Sequence, residues 1–223
     1  MSDIISDFKR PSSELITSFA GIGSATIYEA AGRIGSVDPL IKPLGPGVKI
    51  LGPALTVRCF PNDNLMLHKA LQLAKPGDII VASTDHYPNA GYFGDLMATS
   101  ALALKVGGLA IDGGVRDSEE IMEMGFPIFS RGTCIRGTVK RNRGLINHSI
   151  IFGGIVVNPG DMIAGDNDGI VIIPQDRIEA VLESTKKRLE NEVKKAELLS
   201  SGKTSMELNK LDAVIKSLGM TEE

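Results

Sequence analysis

Tryptophan is absent from the 223 residues, and aromatic residues of all kinds make up only 4%. Cysteine occurs twice, at Cys59 and Cys134, which is too few for a disulfide scaffold. The histidines stand alone at His68, His86 and His148, so no Cys or His pair has zinc-ligand spacing. Long apolar runs are missing too. The longest candidate, Leu96 to Leu104, stops at Lys105, short of the roughly 18 residues a membrane span needs. The stretch Met1-Ser2-Asp3-Ile4-Ile5-Ser6-Asp7 has neither the basic start nor the apolar core of a signal peptide. A cytoplasmic protein with buried thiols, and no membrane association, is therefore expected. Excess basic charge is also lacking. The 24 Lys and Arg face 27 Asp and Glu, for a net charge of −3, which excludes a generic nucleic-acid binder.

What is present is an ordinary globular composition, 43% apolar and 23% charged, with 25 glycines. Helical patterns cover Ser24–Ala31, Asn64–Ala74, Asp95–Val106 and Ser118–Met124, and Gly45–Gly52 is turn-rich. Buried strands are expected at Ala54–Cys59, Asp78–Ala82, Leu109–Ile111 and Phe126–Ser130. From Gly132 to Pro174 the pattern is β only. The sequence Gly165-Asp166-Asn167-Asp168-Gly169 reads as a hairpin turn, since it lacks the calcium-loop pattern. After Gln175 charges rise and glycine becomes sparse. This predicts an α/β core over 1–175 and a mixed-charge helical arm over 176–223, placed to dock on a neighbouring subunit. One weak repeat, Lys75-Pro76-Gly77-Asp78 against Asn158-Pro159-Gly160-Asp161, reads as reused turn chemistry.

Two loops carry candidate chemistry. Asp112-Gly113-Gly114-Val115-Arg116-Asp117 joins a strand to a helix, and Gly91-Tyr92-Phe93-Gly94-Asp95 opens another. Ligands of open α/β folds sit beyond the carboxyl ends of strands. Two aspartates and an arginine there suit a hard cation and an anionic substrate. The alternative is plain helix capping by Asp95 and by Asp117, the latter with Glu120 three residues on. His68, on the polar side of a helix, reads as structural or exposed.

These residues give the chain a resemblance to the class II pyruvate aldolases that act on 4-hydroxy-4-methyl-2-oxoglutarate and 4-carboxy-4-hydroxy-2-oxoadipate. Those enzymes share a superfamily with the regulator of ribonuclease E activity. The family signature is an aspartate, twenty residues, then Arg-Asp; Asp95 and Arg116-Asp117 fit it without a gap. Asp63-Asn64-Leu65-Met66-Leu67-His68, Gly137-Thr138-Val139-Lys140 and Gly165–Val171 extend the likeness over most of the chain.

The resemblance implies a swivelling β/β/α sandwich with a C-terminal helical extension, assembled as trimers or hexamers. It also implies a divalent metal, Mg2+ or Mn2+, held directly by Asp117 and through water by Asp95. Arg116 would hold the pyruvyl end of a small keto acid, and the amides of Gly94, Asp95, Leu96 and Met97 its carboxylate. Arg188, Glu192 and Gly202 match the spacing of a helix that lends a glutamate to a neighbour's site, again through water; the other reading of Glu192 is a solvated charge. The implied activity is release of pyruvate through an enolate, with oxaloacetate decarboxylation as a second activity. A protein-binding regulator of ribonuclease E, without catalysis, carries the same signature. The regulators are short and lack the arm. The loop from Asp85 to Ala90 matches no family pattern and leaves the substrate's distal end open.

Overall fold

The structure is a computed structural model describing residues 2–221. Helices α1 (Ser13–Thr17) and α2 (Ser24–Ala30) precede strand β1 (Lys42–Pro43). Next come β2 (Ile50–Arg58), α3 (Leu65–Leu73), β3 (Ile79–Ser83), α4 (Asp95–Ala103) and β4 (Gly108–Ile111). They are followed by β5 (Gly114–Val115), α5 (Ser118–Met124), β6 (Ile128–Ser130) and β7 (Gly132–Thr133). The β-only stretch contains β8 (Leu145–Ile146), β9 (Ile150–Phe152), β10 (Ile155–Val157), β11 (Met162–Asp166) and β12 (Gly169–Ile173). The chain ends in α6 (Ile178–Ser200), α7 (Ser205–Asn209) and α8 (Asp212–Ser217).

The main sheet runs β1-β6-β4-β3-β2-β11-β12. The four central strands, β6, β4, β3 and β2, are parallel, as strand–helix–strand connections require. Strands β11 and β12 add as an antiparallel hairpin. Residues 35–37 then lie along β12, and Lys42 reaches the carbonyl of Asp168, so the sheet almost closes on itself. This is the expected mixed α/β sandwich with its C-terminal helix.

Side-chain alternation with period two divides the core. Leu55, Val57, Ile80, Ala82, Leu109 and Ile111 face α3, α4 and α5. Ala54, Ile79, Val81, Ala110 and Phe129 face the interior, filled from the other side by Ile163, Ile170 and Ile172. Met162, Ala164, Val171 and Ile173 point outward against α1, α2 and α6. In α6, Ile178, Val181 and Leu182 belong to that third cluster and Thr185 is buried after them; beyond residue 192 the helix is exposed.

Two local expectations shift. Strand β2 starts at Ile50, inside the stretch expected as turns, because β11 supplies an antiparallel partner from more than 100 residues away (Gly165 opposite Ile50). Helix α4 ends at Ala103, three residues early, because Lys105 adopts φ 58°. The Gly165–Gly169 hairpin is as expected. Its Asp166 accepts hydrogen bonds from the Ser24 amide (2.7 Å) and hydroxyl (2.6 Å), which fastens α2 to the sheet.

The repeated Pro-Gly-Asp turns behave alike. Gly77 and Gly160 take φ of 86° and 89°, and the following aspartates are buried. Asp78 and Asp161 each accept a hydrogen bond from a backbone amide three residues back, that of Lys75 (2.9 Å) and Asn158 (2.8 Å). The two turns launch β3 and β11, the neighbours of β2. Asp78 is wholly inaccessible and is held by a two-pronged bond from Arg10, with both contacts at 2.7 Å. Replacing Arg10 by Ala strands that carboxylate without its cation. A loss of about 3–5 kcal/mol, read as a lowered urea-unfolding midpoint, is expected.

Candidate functional site

Strands β3 and β4 are parallel neighbours, so the loops leaving their carboxyl ends emerge side by side. The backbone joins the two loops: the Tyr92 amide donates to Gly114 O (2.9 Å) and the Arg116 amide to Phe93 O (3.0 Å). A third loop closes on them where the Cys134 amide donates to Val115 O and the Gly91 amide to Arg136 O, both at 2.7 Å.

This weave brings Asp95, Arg116 and Asp117 together. Asp117 stands at the N-cap position of α5 yet makes no capping bond. Its backbone is left-handed (φ 55°, ψ 44°), a conformation that costs a non-glycine residue of the order of 1–2 kcal/mol. Its Oδ2 instead accepts from the Asp95 amide (3.3 Å) and lies 3.4 Å from Arg116 Nε. Asp95 is the first residue of α4, after a Gly94 cap, and also makes no cap bond. The capping alternative therefore fails for both aspartates, and left-handed strain of this kind clusters at functional sites. Gly94 permits the approach: a Cβ there would sit 2.4 Å from Asp117 Oδ2 and 3.2 Å from Arg116 Nε.

Asp95 and Arg116, with Asp117 directly beside them against the Asp95 amide and Arg116 Nε, line a cleft of about 320 Å3. Its near wall is Gly94, Asp95, Leu96, Met97 and Arg116; its far wall is Asn64, His68, Gly137, Thr138 and Lys140. In the helix-opening turn the Asp95 amide is taken by Asp117 and the Met97 amide by Gly94 O (3.1 Å). Among the described residues this leaves the Gly94 and Leu96 amides open for an anion.

The far wall was missed as a site. It is built by the segments Asp63–His68 and Gly137–Lys140, whose meeting is a tertiary event. The buried carboxylate of Asp63 joins them, accepting from the amides of Leu65 (2.8 Å), Arg141 (2.7 Å) and Asn142 (2.8 Å). Burial alone would raise its pKa, but these bonds outweigh burial and hold it below the usual carboxylate value. His68 is exposed on α3, as expected; it also lines the cleft, and partial burial and the nearby Lys140 cation lower its pKa. Tyr92 is pushed up to about 12 by burial and accepts a hydrogen bond from the Asn62 amide (2.7 Å), so it stays neutral.

No residue of the Asp85–Ala90 loop lines the cleft. Asp85 pairs with Arg58 (3.2 Å), and His86 lies 3.3 Å from Arg131. Glu192 is not among the residues of its own protomer's cleft. It pairs with Arg188 (2.7 Å) on α6, against α2.

No group of three or more His, Cys, Asp or Glu forms a metal cage among the described residues. Asp95 and Asp117 nevertheless offer two carboxylates not spent on capping, beside solvent. That donor set fits a hard divalent ion such as Mg2+, which keeps several waters and uses one or two carboxylates.

Comparison with known proteins gives the family. The profile of the RraA-like family, described as Aldolase/RraA, matches residues 24–172, which include the whole near wall and far wall. The chain belongs to the RraA-like family. A relative from Halalkalibacterium halodurans named "Putative 4-hydroxy-4-methyl-2-oxoglutarate aldolase" is 37% identical over 78% of this chain and 83% of its own. The crystal structure of an uncharacterized protein from Pseudomonas syringae pv. tomato superposes with a TM-score of 0.81 at 26% identity, over 89% of this chain and 93% of that one. Streptomyces coelicolor RraAS2, described as an unusual member of the RNase ES inhibitor RraA family, shares the fold. Its TM-score is 0.74 at 24% identity, over 85% of this chain and 99% of that one.

Two outcomes test the site's construction. Asp117→Gly and Asp117→Asn both tolerate the left-handed backbone, so each is expected to unfold within about 1 kcal/mol of wild type in urea. A loss of 2 kcal/mol would restore a capping role. Asp63→Asn is expected to speed amide hydrogen exchange at Arg141 and Asn142 at neutral pH. In the wild type the same loosening should appear only in acid, because a carboxylate with a lowered pKa stabilises above its unfolded value and loses that effect as pH falls through the folded one.

Proposed function

We propose that the protein is a divalent-metal-dependent aldolase, a lyase that cleaves 4-hydroxy-4-methyl-2-oxoglutarate or a similar 4-hydroxy-2-keto acid to pyruvate. The observation that carries this reading is the convergence of Asp95 and Arg116 in the lining of one cleft with Asp117 in contact with both, neither aspartate capping its own helix with its side chain.

Asp117, and Asp95 through water, would hold the metal, which when bound supplies Lewis-acid stabilisation of an enolate. Arg116 places a guanidinium beside the oxyanion that develops at C2 as the C3–C4 bond breaks. The open amides of Gly94 and Leu96 face the substrate's carboxylate. The 4-hydroxyl proton passes to a water held by the Asp95 carboxylate as C4 becomes a carbonyl, and the C3–C4 electron pair becomes the enolate. Protonation at C3 completes pyruvate. Oxaloacetate would lose CO2 through the same enolate, giving a second activity. No lysine stands in the Gly91–Met97 or Asp112–Asp117 loops, but Lys140 lines the cleft from another loop, so the comparison with EDTA is what separates a metal route from a Schiff-base route.

Glu192 is proposed to reach a neighbouring protomer's site, in a homotrimer or homohexamer. Helix α6 projects beyond the core past that residue with Val193, Leu198 and Leu199 exposed, as a docking arm requires.

The experiment is pyruvate release from 4-hydroxy-4-methyl-2-oxoglutarate with Mg2+ and with EDTA. Turnover is expected only with metal. Arg116→Ala and Asp117→Ala are expected to lower kcat/KM by at least about 100-fold, as loss of a charge-stabilising group does, with folding intact. Near-normal turnover in either variant would overturn the assignment. The second reading, a binding regulator of ribonuclease E, is supported by the shared fold and the shared signature, and absence of pyruvate release under all metals would favour it.

A further inference from the structure

One buried carboxylate near the cleft takes no part in the chemistry above. Asp112 follows β4 directly, opens the turn that leads to Arg116 and Asp117, and is wholly inaccessible. Burying a carboxylate is costly unless its hydrogen bonds are made. Asp78, equally buried, has Arg10; among the described residues no lysine or arginine pairs with Asp112. Its partners come instead from the end of β3. Oδ1 accepts from the Thr84 amide (2.5 Å) and hydroxyl (2.8 Å), and Oδ2 from the Ser83 hydroxyl (3.3 Å). The carboxylate therefore ties together the starts of the two loops that carry Asp95 and Arg116-Asp117. The join is tight: a Cβ on Gly113 would sit 3.0 Å from Thr84 Oγ1, and one on Gly114 would sit 2.8 Å from Ala90 O. The Asp85–Ala90 loop covers it. Asp85 and His86 are the one adjacent pair of left-handed non-glycine residues among those described, with φ of 53° and 59°. Such a conformation persists only where its surroundings impose it. Here the His86 Nδ1 stands 3.7 Å from Asp112 Oδ2 and 3.3 Å from Arg131 Nη2, and the Arg131 amide donates to Gly113 O (3.1 Å).

We propose that Asp112 is a positioning residue for the reacting end of the cleft. By locking Ser83 and Thr84 to the start of the Asp112–Asp117 turn, it fixes how far Asp95 stands from Arg116 and Asp117. The Asp85–Ala90 loop, which has no place in the cleft lining, serves as the cover that keeps water off the lock. A misplacement of about 1 Å at a reacting group can cost roughly 100-fold in rate, so a lock remote from the chemistry matters to it. The consequence for turnover rests on the aldolase reading; the lock itself does not.

The test compares local with global loosening on the full chain. Thr84→Val keeps the side chain's shape and removes the hydroxyl that bonds Asp112. Amide hydrogen exchange is followed at Tyr92, Arg116 and Cys134, whose N–H groups bond across the loops to Gly114, Phe93 and Val115, and at Val81 and Ala110 in the sheet. Thr84→Val is expected to speed exchange at the three loop amides by about fivefold or more, and to leave the sheet amides within about twofold of wild type. Ser83→Ala, which removes the longer bond, is expected to act in the same direction more weakly. Asp112→Asn keeps an oxygen for Thr84 and can donate to the Ser83 hydroxyl, so it is expected to stay nearer wild type than Thr84→Val. The Mn2+ dissociation constant of Thr84→Val is expected to rise about 10-fold, and kcat to fall by a similar factor with KM little changed. Equal acceleration at loop and sheet amides, which a role in stability alone would give, or unchanged exchange at the three loop amides, overturns the proposal. Failure of the aldolase reading looks different: the loop amides still loosen, while wild type neither binds Mn2+ nor releases pyruvate.

Discussion

The absence of a side chain at position 94 governs the geometry of the whole cleft. Asp117 can lay its carboxylate on the Asp95 amide, beside Arg116, because no Cβ stands between the two loops. The strain of the left-handed Asp117 backbone is tolerated because the turn is held at both ends. The Arg116 amide bonds Phe93, and α5 is anchored by Ile121 in the core. A carboxylate held in this way is oriented before any ligand arrives, which is what metal binding and oxyanion chemistry both require. The sheet supplies the rest, since the parallel register of β3 and β4 sets the two loops next to each other.

Much of this was legible in the sequence. Helices α3 and α5, strands β3 and β4 and the β11–β12 hairpin follow from periodicity and turn chemistry. The Asp95 and Arg116-Asp117 spacing located the near wall. What could not be read locally came from pairing across long stretches of chain. The start of β2 depends on β11, and the far wall depends on Asp63 drawing residues 141 and 142 back to α3. His68 is the exposed residue its helical pattern suggests, but a single helix face carries no information about the loop that will stand beside it. The capping reading of Asp117 was reasonable from its neighbours Ser118 and Glu120 and failed on one backbone angle, which sequence does not specify for an aspartate.

The two walls divide the work differently. The near wall is made of backbone amides, an arginine and two aspartates at strand ends, a set suited to the part of a substrate where charge develops. The far wall is made of side chains from a helix and a loop, and can vary without disturbing the sheet. A family sharing one fold between aldolases and ribonuclease inhibitors fits that division: fold alone does not fix function, and residues grafted at the strand ends do.

The near-closure of the sheet has a bearing on solubility. The outer side of β12 is occupied by residues 35–37, and β1 at the opposite end is only two residues long. Neither border offers another polypeptide a long row of free amides and carbonyls on which to add, so the fold is poorly suited to templating fibrils, whatever oligomer it adopts through other surfaces.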